Sequence, residues 1–468
     1  LKKGCSRVLI SAGLFPLFRR NIISQNEITY GILTRGRGKV ADTRFIGRRE
    51  YFGSLFYDFQ QGDYIPFDWD ATNIFELRQT NSVEEIAEKI SKRISRESFL
   101  TFVQLCQSIE LFDKDSNFNG RFLPYSPVQN KLSAPLRVHL QLTNKCDLNC
   151  KHCSQDHQNA LSNELELKEI FRLIDEMVAI GTFELTLGGG DPFCRENDII
   201  PIVKYAAERG VRTNISTTGL FIGRVIAKKL TEFPLKGIRV SFDGSTEKSY
   251  DYQRGKGTYR RVVRSIKTLR ELFDCPITLH SVLMKTNHTE VLSFLKSVQK
   301  FKCDVWSVDF IKPVGGAKTN KLLLLTDQQI REALKTIQKI QKHSSTNIAL
   351  HSFPYQSRGK RIYRGFGCSG GNLNCWIDAS GNVFPCSFLR ESFSAGNIRE
   401  HSLRDIWIYS ANMHLFRTLS GNETCRECSH VGFCRGGCRA RALIDGDVNK
   451  IDPACFIKIQ DDEPAKRS

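Results

Sequence analysis

Cys146-Asp-Leu-Asn-Cys150-Lys-His152-Cys153 puts three thiols on one short stretch in a C-x3-C-x2-C spacing. Three thiolates can hold three corners of an Fe4S4 cube and leave the fourth iron without a protein ligand, and that open iron is where chemistry can happen. A structural zinc site instead closes its coordination with a fourth Cys or His. His152 lies inside the loop beside Cys153, where geometry disfavours joint chelation. The chain has 16 cysteines among 468 residues, so this spacing arises by chance often enough that its meaning depends on the elements around it.

Those elements are legible. Residues 136–142 alternate as a strand, and beyond the loop Leu165, Leu167, Ile170, Phe171, Ile174, Met177 and Val178 recur at helical spacing. Further strands are expected at 183–187, 211–216, 237–242, 277–284 and 304–311. Helices are expected at 199–209, 224–232, 259–273, 289–300 and 327–342. Six strands alternating with helices predict an α/β chain whose parallel sheet curls into a partial (β/α)6 barrel, short of the eight strands that close one. Active groups of such barrels gather at the C-terminal strand ends.

Three strand ends carry polar or glycine-rich runs. After the second comes Gly188-Gly189-Gly190-Asp191-Pro192, where glycines allow close backbone approach to a ligand and the carboxylate can receive an ammonium. A tight strand-to-helix turn explains the same residues. The third strand ends Ser216-Thr217-Thr218-Gly219, which turn chemistry explains equally well. The fourth ends Ser241-Phe-Asp243-Gly244 and is followed by Arg254-Gly255. A guanidinium suits a carboxylate in charge and shape, while Asp243 can order the turn.

Together the cysteine loop and these runs resemble the motifs of the radical S-adenosylmethionine enzymes, with Asp191 standing where that family's Gly-Gly-Glu-Pro element has Glu. The resemblance implies that Cys146, Cys150 and Cys153 hold a 4Fe-4S cluster whose open iron binds the amino and carboxylate groups of S-adenosylmethionine. An injected electron then cleaves this cofactor to methionine and a 5'-deoxyadenosyl radical. It implies too that His152 packs near the adenine, that Gly189, Gly190, Asp191, Ser216, Thr217 and Ser241 contact the cofactor, and that Arg254 holds its carboxylate.

A second constellation fills the C-terminal hundred residues: Cys368-x12-Gly381-x4-Cys386, then Cys425-x2-Cys428-x5-Cys434-x3-Cys438, then Cys455. C-x2-C and C-x3-C are also zinc spacings, but this layout does not divide into ordinary four-ligand modules. It resembles the seven-cysteine SPASM domain, which implies two auxiliary 4Fe-4S clusters and three in all. Cys368, Cys386 and Cys438 would hold the first, with Cys375 as a fourth ligand. Cys425, Cys428, Cys434 and Cys455 would hold the second. An open cluster is consistent with a reducing cytoplasm rather than a disulfide-forming compartment. Cys5, Cys106, Cys275 and Cys303 read as small buried hydrophobes, and Cys194 as packing rather than a thiol that returns a hydrogen atom to substrate.

With the barrel at 131–345 and the cysteine-rich domain at 346–468, roughly 130 residues remain. Residues 1–44 carry no assigned fold; Lys2-Lys3 and an apolar run superficially resemble a signal peptide, but Arg19-Arg20 follows and no small-residue cleavage site is evident. No stretch is long enough to span a membrane. Residues 53–59 and 64–67 read as a hairpin, followed by helices at 71–77, 83–94 and 99–109. Over 45–118 this pattern resembles the RiPP recognition element, a winged-helix module that takes a leader peptide as an added strand; the alternative is a structural cap. Residues 119–130 are expected as a linker. The net charge is +18, and residues 1–50 hold 11 Lys and Arg against 3 Asp and Glu, which favours a polyanionic partner. Without an RNA-recognition or zinc-finger signature, an acidic peptide is favoured over nucleic acid.

The expectation is therefore a maturase of a ribosomally made precursor peptide. The adenosyl radical would take a hydrogen atom from the peptide, leading to a thioether or carbon–carbon or carbon–oxygen cross-link, backbone excision or epimerisation. A flavodoxin or ferredoxin would supply electrons, with neither nucleic acid nor membrane as partner. A sulfatase-maturase-like or other SPASM oxidoreductase is the alternative within the class, and a zinc-containing peptide-binding protein without catalysis the alternative outside it.

Overall fold

The computed structural model describes residues 43–155, 159–351, 367–390, 392–421, 423–443 and 446–455. Most of the basic N-terminal segment, with Cys5, lies outside them. The described residues fall into two compact units that divide between Ser133 and Ala134.

The first unit is a four-stranded sheet with three helices. Strands β1 (Phe45–Glu50), β2 (Gly53–Asp58) and β3 (Asp63–Asp68) form an antiparallel meander, and β4 (Gly120–Phe122) joins parallel to β1, giving the order β3-β2-β1-β4. The helices Trp69–Leu77, Val83–Ile90 and Arg96–Ser108 start where side chains cap them: Asp68 accepts from Ala71 N, Ser82 closes a capping box with Glu85, and Ser95 accepts from Ser98 N. Phenylalanines fill the centre in edge-to-face pairs, as with Phe67 and Phe75, whose ring centroids are 4.8 Å apart at 84°. β1 and β4 escaped the sequence reading. The segment expected as a linker, 119–130, begins with a strand of this sheet, because Gly120–Phe122 pairs with β1 and Phe118 packs on the phenylalanine core. Glu50, fully buried, pairs with Arg48 and accepts from Ser133 N at 2.7 Å and Ser133 Oγ at 3.0 Å, which pins the end of the unit.

The second unit contains all six expected barrel strands: β5 (Arg137–Thr143), β6 (Glu184–Gly189), β7 (Arg212–Thr217), β8 (Leu235–Ser241), β9 (Ile277–Leu283) and β10 (Val305–Phe310). They are parallel and adjacent in chain order. Helices Leu167–Ala179, Glu196–Glu208, Arg224–Leu230, Thr258–Leu272, Val291–Lys300 and Asp327–His343 separate or follow them. A helix missed by the sequence reading, Glu247–Arg254, directly follows the β8 end. Strand β11 (Asn347–Leu350) extends the sheet beyond β10. On the opposite side β12 (Asn374–Ile377) pairs parallel with β5 and continues antiparallel into β13 (Asn382–Phe384) and β14 (Gly396–Asn397).

Side chains alternate between two faces along each strand. One row, including Leu140, Leu187, Ile215, Val240, Leu279 and Trp306, is buried and apolar. The other carries Arg137, His139, Thr186, Asn214, Arg239, His280 and Ser307. That polar face is concave. Arg239 Nη2 on β8 lies 3.4 Å from Nε2 of His351, which follows β11. Three strand spacings on a flat sheet would separate them by about 14 Å, so the sheet curls into a partial barrel with a polar interior.

Candidate active site at the barrel mouth

The loop bearing Cys146, Cys150 and Cys153 leaves the end of β5 and is held from three other strand ends. Behind β6, Gly190 N donates to Thr143 O at 2.9 Å and Asp191 N to Lys145 O at 3.0 Å. A Cβ on Gly190 would stand 2.0 Å from Lys145 O, so only glycine lets these segments meet. From the helix after β8, Gln253 O accepts from Lys151 N at 3.2 Å. From beyond β10, Gly316 N donates to Cys153 O at 2.7 Å, while Gly315, at φ +54°, lies against the same backbone. The Gly315-Gly316 doublet was not singled out from sequence, although two glycines after the last barrel strand were the available signal.

The three cysteines are partly exposed, and every cysteine among the described residues is free. Burial pushes the Cys146 thiol up to about 12 and raises Cys150 also, with Arg254 opposing the shift at Cys150. Cationic company for thiolates therefore comes from Arg254.

Arg254 sits at the C-terminal end of its helix and places Nε and Nη2 on Asp243 Oδ2, each at 2.6 Å. His152 Nε2 reaches the same oxygen at 3.1 Å, and Val282 N donates to Oδ1 at 2.7 Å. Burial alone would raise the Asp243 carboxyl, but Arg254 and His152 hold it well below the usual carboxylate range. Asp243, read from sequence as a turn residue, is thus the hub that joins the cysteine loop to the β8 end. His152 keeps Nδ1 buried without a hydrogen-bond partner among the described residues.

Two of the expected cofactor contacts, Asp191 and Thr217, are engaged with protein partners. Asp191 is fully buried and its oxygens accept from Phe193 N, Thr217 Oγ1, Thr218 N and Thr218 Oγ1. It ties the β6 turn to the end of β7. Thr217, on the buried row, is spent on that tie. Ser216 and Ser241 are half-buried on the polar face at their strand ends, and Gly189 and Gly190 are half-buried beside the loop. Cys106, Cys275 and Cys303 are buried, as read, and Cys194 is partly exposed.

In the C-terminal region, Cys368, Cys386 and Cys438 lie within one another's electrostatic reach. Cys375, the fourth ligand expected from sequence, is placed by its strand. It sits on β12, 1% exposed, with burial pushing its thiol up to about 12 and Arg417 as its charged neighbour. Strand pairing with Val138 fixes where it stands. Cys434 feels Cys455. Backbone amides reach two of the sulfurs, Phe388 N on Cys386 at 3.5 Å and His430 N on Cys428 at 3.4 Å. Asp452, paired with buried Arg441, accepts from Cys438 N at 2.8 Å, while its carbonyl accepts from Cys455 N at 2.8 Å, so one residue steadies a member of each expected set. The two cysteine regions meet at Gln155, which donates to Ser387 O at 2.9 Å and accepts from Arg390 at 3.3 Å.

Among the described residues, no three His, Cys, Asp or Glu side chains converge as a single metal ion needs. A cube makes a different demand, since each thiolate meets its own iron corner. Grouped free thiols, amide donors aimed at sulfur and the nearby cation Arg254 fit iron–sulfur clusters.

Residues 140–298 match the radical SAM superfamily, and residues 368–429 match SPASM, an iron-sulfur cluster-binding domain. AdoMet-dependent heme synthase from Methanosarcina barkeri is 29% identical over 350 residues, covering 70% of this chain and 97% of that protein. Mycofactocin maturase MftC from Mycobacterium tuberculosis is 26% identical over 332 residues, covering 69% of this chain and 83% of that one. In fold, Streptococcus suis SuiB bound to precursor peptide SuiA superposes with a TM-score of 0.67 at 18% identity, over 88% of this chain and 98% of SuiB. A radical SAM domain binds S-adenosylmethionine and a 4Fe-4S cluster, and a SPASM domain binds auxiliary iron-sulfur clusters. A cysteine loop clamped at the mouth of a six-stranded partial barrel, with a second cysteine field hydrogen-bonded to it, has its explanation there: the chain carries a radical SAM domain and a C-terminal SPASM domain.

Proposed function

We propose that this enzyme modifies a ribosomally made precursor peptide by removing a hydrogen atom from it. The observation that carries this reading is the extent of the fold likeness to SuiB. At 88% of the chain it exceeds what Ala134–Ser468 can supply, and so reaches into the N-terminal unit. SuiB is bound to a precursor peptide, and MftC is a maturase. The heme synthase, by contrast, is used almost entirely in matching 70% of this chain, leaving no counterpart for the rest.

Cys146, Cys150 and Cys153 would hold the catalytic cluster, with Ser216, Ser241, Gly189 and Gly190 at the strand ends facing S-adenosylmethionine. When bound, this pair of groups supplies hydrogen-atom abstraction. The protein's own part is to hold the loop rigid through Asp243, Arg254 and His152, and to present a polar chamber beneath it. Cys368, Cys386 and Cys438 would carry one auxiliary cluster and Cys425, Cys428, Cys434 and Cys455 the other.

The N-terminal unit is read as the leader-binding module. β4 pairs only with β1 among the described strands, and a concavity of about 820 Å³ beside it is lined by Arg44, Glu110, Phe118 and Arg121. A free strand edge beside a groove suits a peptide added as a strand, with side chains choosing the sequence. Electrons would come from a reducing protein such as a flavodoxin or ferredoxin, in a reducing cytoplasm. No helix among the described residues is long and apolar enough to cross a membrane.

The test is anaerobic reconstitution of the full chain with iron and sulfide, followed by strong reductant and S-adenosylmethionine. The expected results are 5'-deoxyadenosine and a changed mass, or deuterium uptake, in a short peptide encoded beside this chain. A colourless zinc protein that never yields 5'-deoxyadenosine would refute the reading.

A further inference from the structure

The polar interior of the barrel has a charge imbalance that the cofactor contacts leave unused. Glu184 takes both Arg137 and Lys236, and Asp309 takes Lys312. Arg239 is left over. Its described hydrogen bond runs to an imidazole, His351 at 3.4 Å, and no carboxylate lies within ion-pair distance of it among the described residues. Burial pushes its guanidinium down to about 10, with Arg137 adding to the shift and Asp309, beyond ion-pair distance, opposing it. A half-buried cation in a protein interior normally has a carboxylate or a ligand to offset its lost hydration.

Arg239 feels two charged groups, Arg137 and Asp309, the latter already paired with Lys312, while His280, His351 and Ser307 are hydrogen-bonding groups. His280 lies with its ring centroid 6.0 Å from that of His351, and its Nδ1 is 2.9 Å from Ser307 Oγ. Burial pushes His139 and His280 down to about 3 and His351 to about 4. Arg239 stands two residues before Ser241 on the same strand face, so it lies about 7 Å deeper in the barrel than the strand end.

We propose that this chamber is a subsite for a carboxylate-bearing residue of the substrate, an aspartate, a glutamate or a chain terminus, anchored on Arg239 beside His280 and His351. The inference rests on the peptide-modifying reading and adds the substrate class. A guanidinium fork matches a carboxylate with two parallel hydrogen bonds, which an amide of equal size cannot reproduce. An acidic residue seated there would place its neighbours at the barrel mouth, within reach of the reacting centre.

The experiment uses the reconstituted full chain with S-adenosylmethionine bound and two probes, N-acetyl-L-glutamate N-methylamide and its glutamine analogue, titrated calorimetrically. The glutamate probe should bind about 10- to 100-fold tighter than the glutamine probe. Arg239→Met should abolish that preference, and Arg239→Lys should keep part of it. Equal affinity for the two probes, no binding of either, or a preference that survives Arg239→Met overturns the proposal. Loss of S-adenosylmethionine rather than of the glutamate probe in Arg239→Met assigns the guanidinium to the cofactor's own carboxylate, and also overturns it. Should Arg239→Met fail to fold, the wild-type comparison and Arg239→Lys decide. Formation of 5'-deoxyadenosine by the wild type is scored separately, so failure of the subsite and failure of the radical reading remain distinct.

Discussion

Asp243→Asn is the sharpest perturbation of the mouth. The amide keeps an oxygen for Val282 N but turns an NH2 or a neutral oxygen toward Arg254 and His152, the groups now sharing Oδ2. Arg254 is only 7% exposed, so the substitution leaves a buried guanidinium uncompensated. Removing one partner of a buried ion pair costs about 3–5 kcal/mol, which is roughly two to four decades in an opening equilibrium. Arg254→Met should cost a similar amount by stranding the carboxylate. The double variant should lose at least about 2 kcal/mol less than the sum, because neither charge is then left alone. Urea unfolding of the full chain, followed by circular dichroism, measures all four corners of the cycle. Reconstituted iron should fall in Asp243→Asn, since the loop that carries Cys150 and His152 loses its anchor. The Asp243 carboxyl is depressed in the fold, so its stabilisation is complete above the unfolded value near pH 4 and is lost only as pH falls toward the folded one. The gap between wild type and Asp243→Asn should therefore be the same at pH 6 and pH 8. Strict additivity of the two single variants, or an Asp243→Asn midpoint equal to wild type, would show that the triad does not hold the loop.

Two further outcomes follow from the same geometry. Cys375→Ala should keep wild-type iron and sulfide contents after reconstitution while Cys386→Ala loses a share of both; equal losses would place Cys375 in the ligand set, as the sequence reading has it. In the barrel interior, His139, His280 and His351 are held at about 3, 3 and 4, below the unfolded value of about 6.5, so their neutral forms stabilise the fold above that value and the benefit is lost as pH falls from there toward 4. Each contributes a slope of up to about 1.4 kcal/mol per pH unit. Urea midpoints at pH 7, 6 and 5 should fall steeply, and His280→Gln should remove about a third of the fall; a flat profile would contradict it.

The sequence exposed the apolar half of the barrel because an alternating strand buried on one face has its own period. All six strands were found that way, with ends displaced by two residues at most, as at β8. The same period says nothing about the opposite row. Arg239, His280 and Arg137 were not singled out, because only curvature of the sheet turns their row into an interior. Arg254 was singled out for its type, yet its partner Asp243 lies eleven residues away across a turn and a short polar helix with a weak pattern. Asp191 was chosen for its charge, and burial has spent that charge on threonines. β4 and β12 are three and four residues long, too short for a periodic signal, so their pairing with β1 and β5 is decided by tertiary contact alone. The cysteine spacings were the most informative text in the chain, but spacing could not tell that Cys375 is committed to a strand.

That strand makes the C-terminal region more than an appendage. Because β12 lends its backbone to β5, the first barrel strand has neighbours on both sides only while residues 374–377 are in place. Proteolysis ahead of them would bare the amides and carbonyls of Arg137–Leu140 as a raw edge, open to any passing chain. The wound would lie on the strand that delivers the catalytic loop. Damage to the distal metal-binding region would thus be transmitted mechanically to the reactive end, and the two halves should ripen, and fail, together.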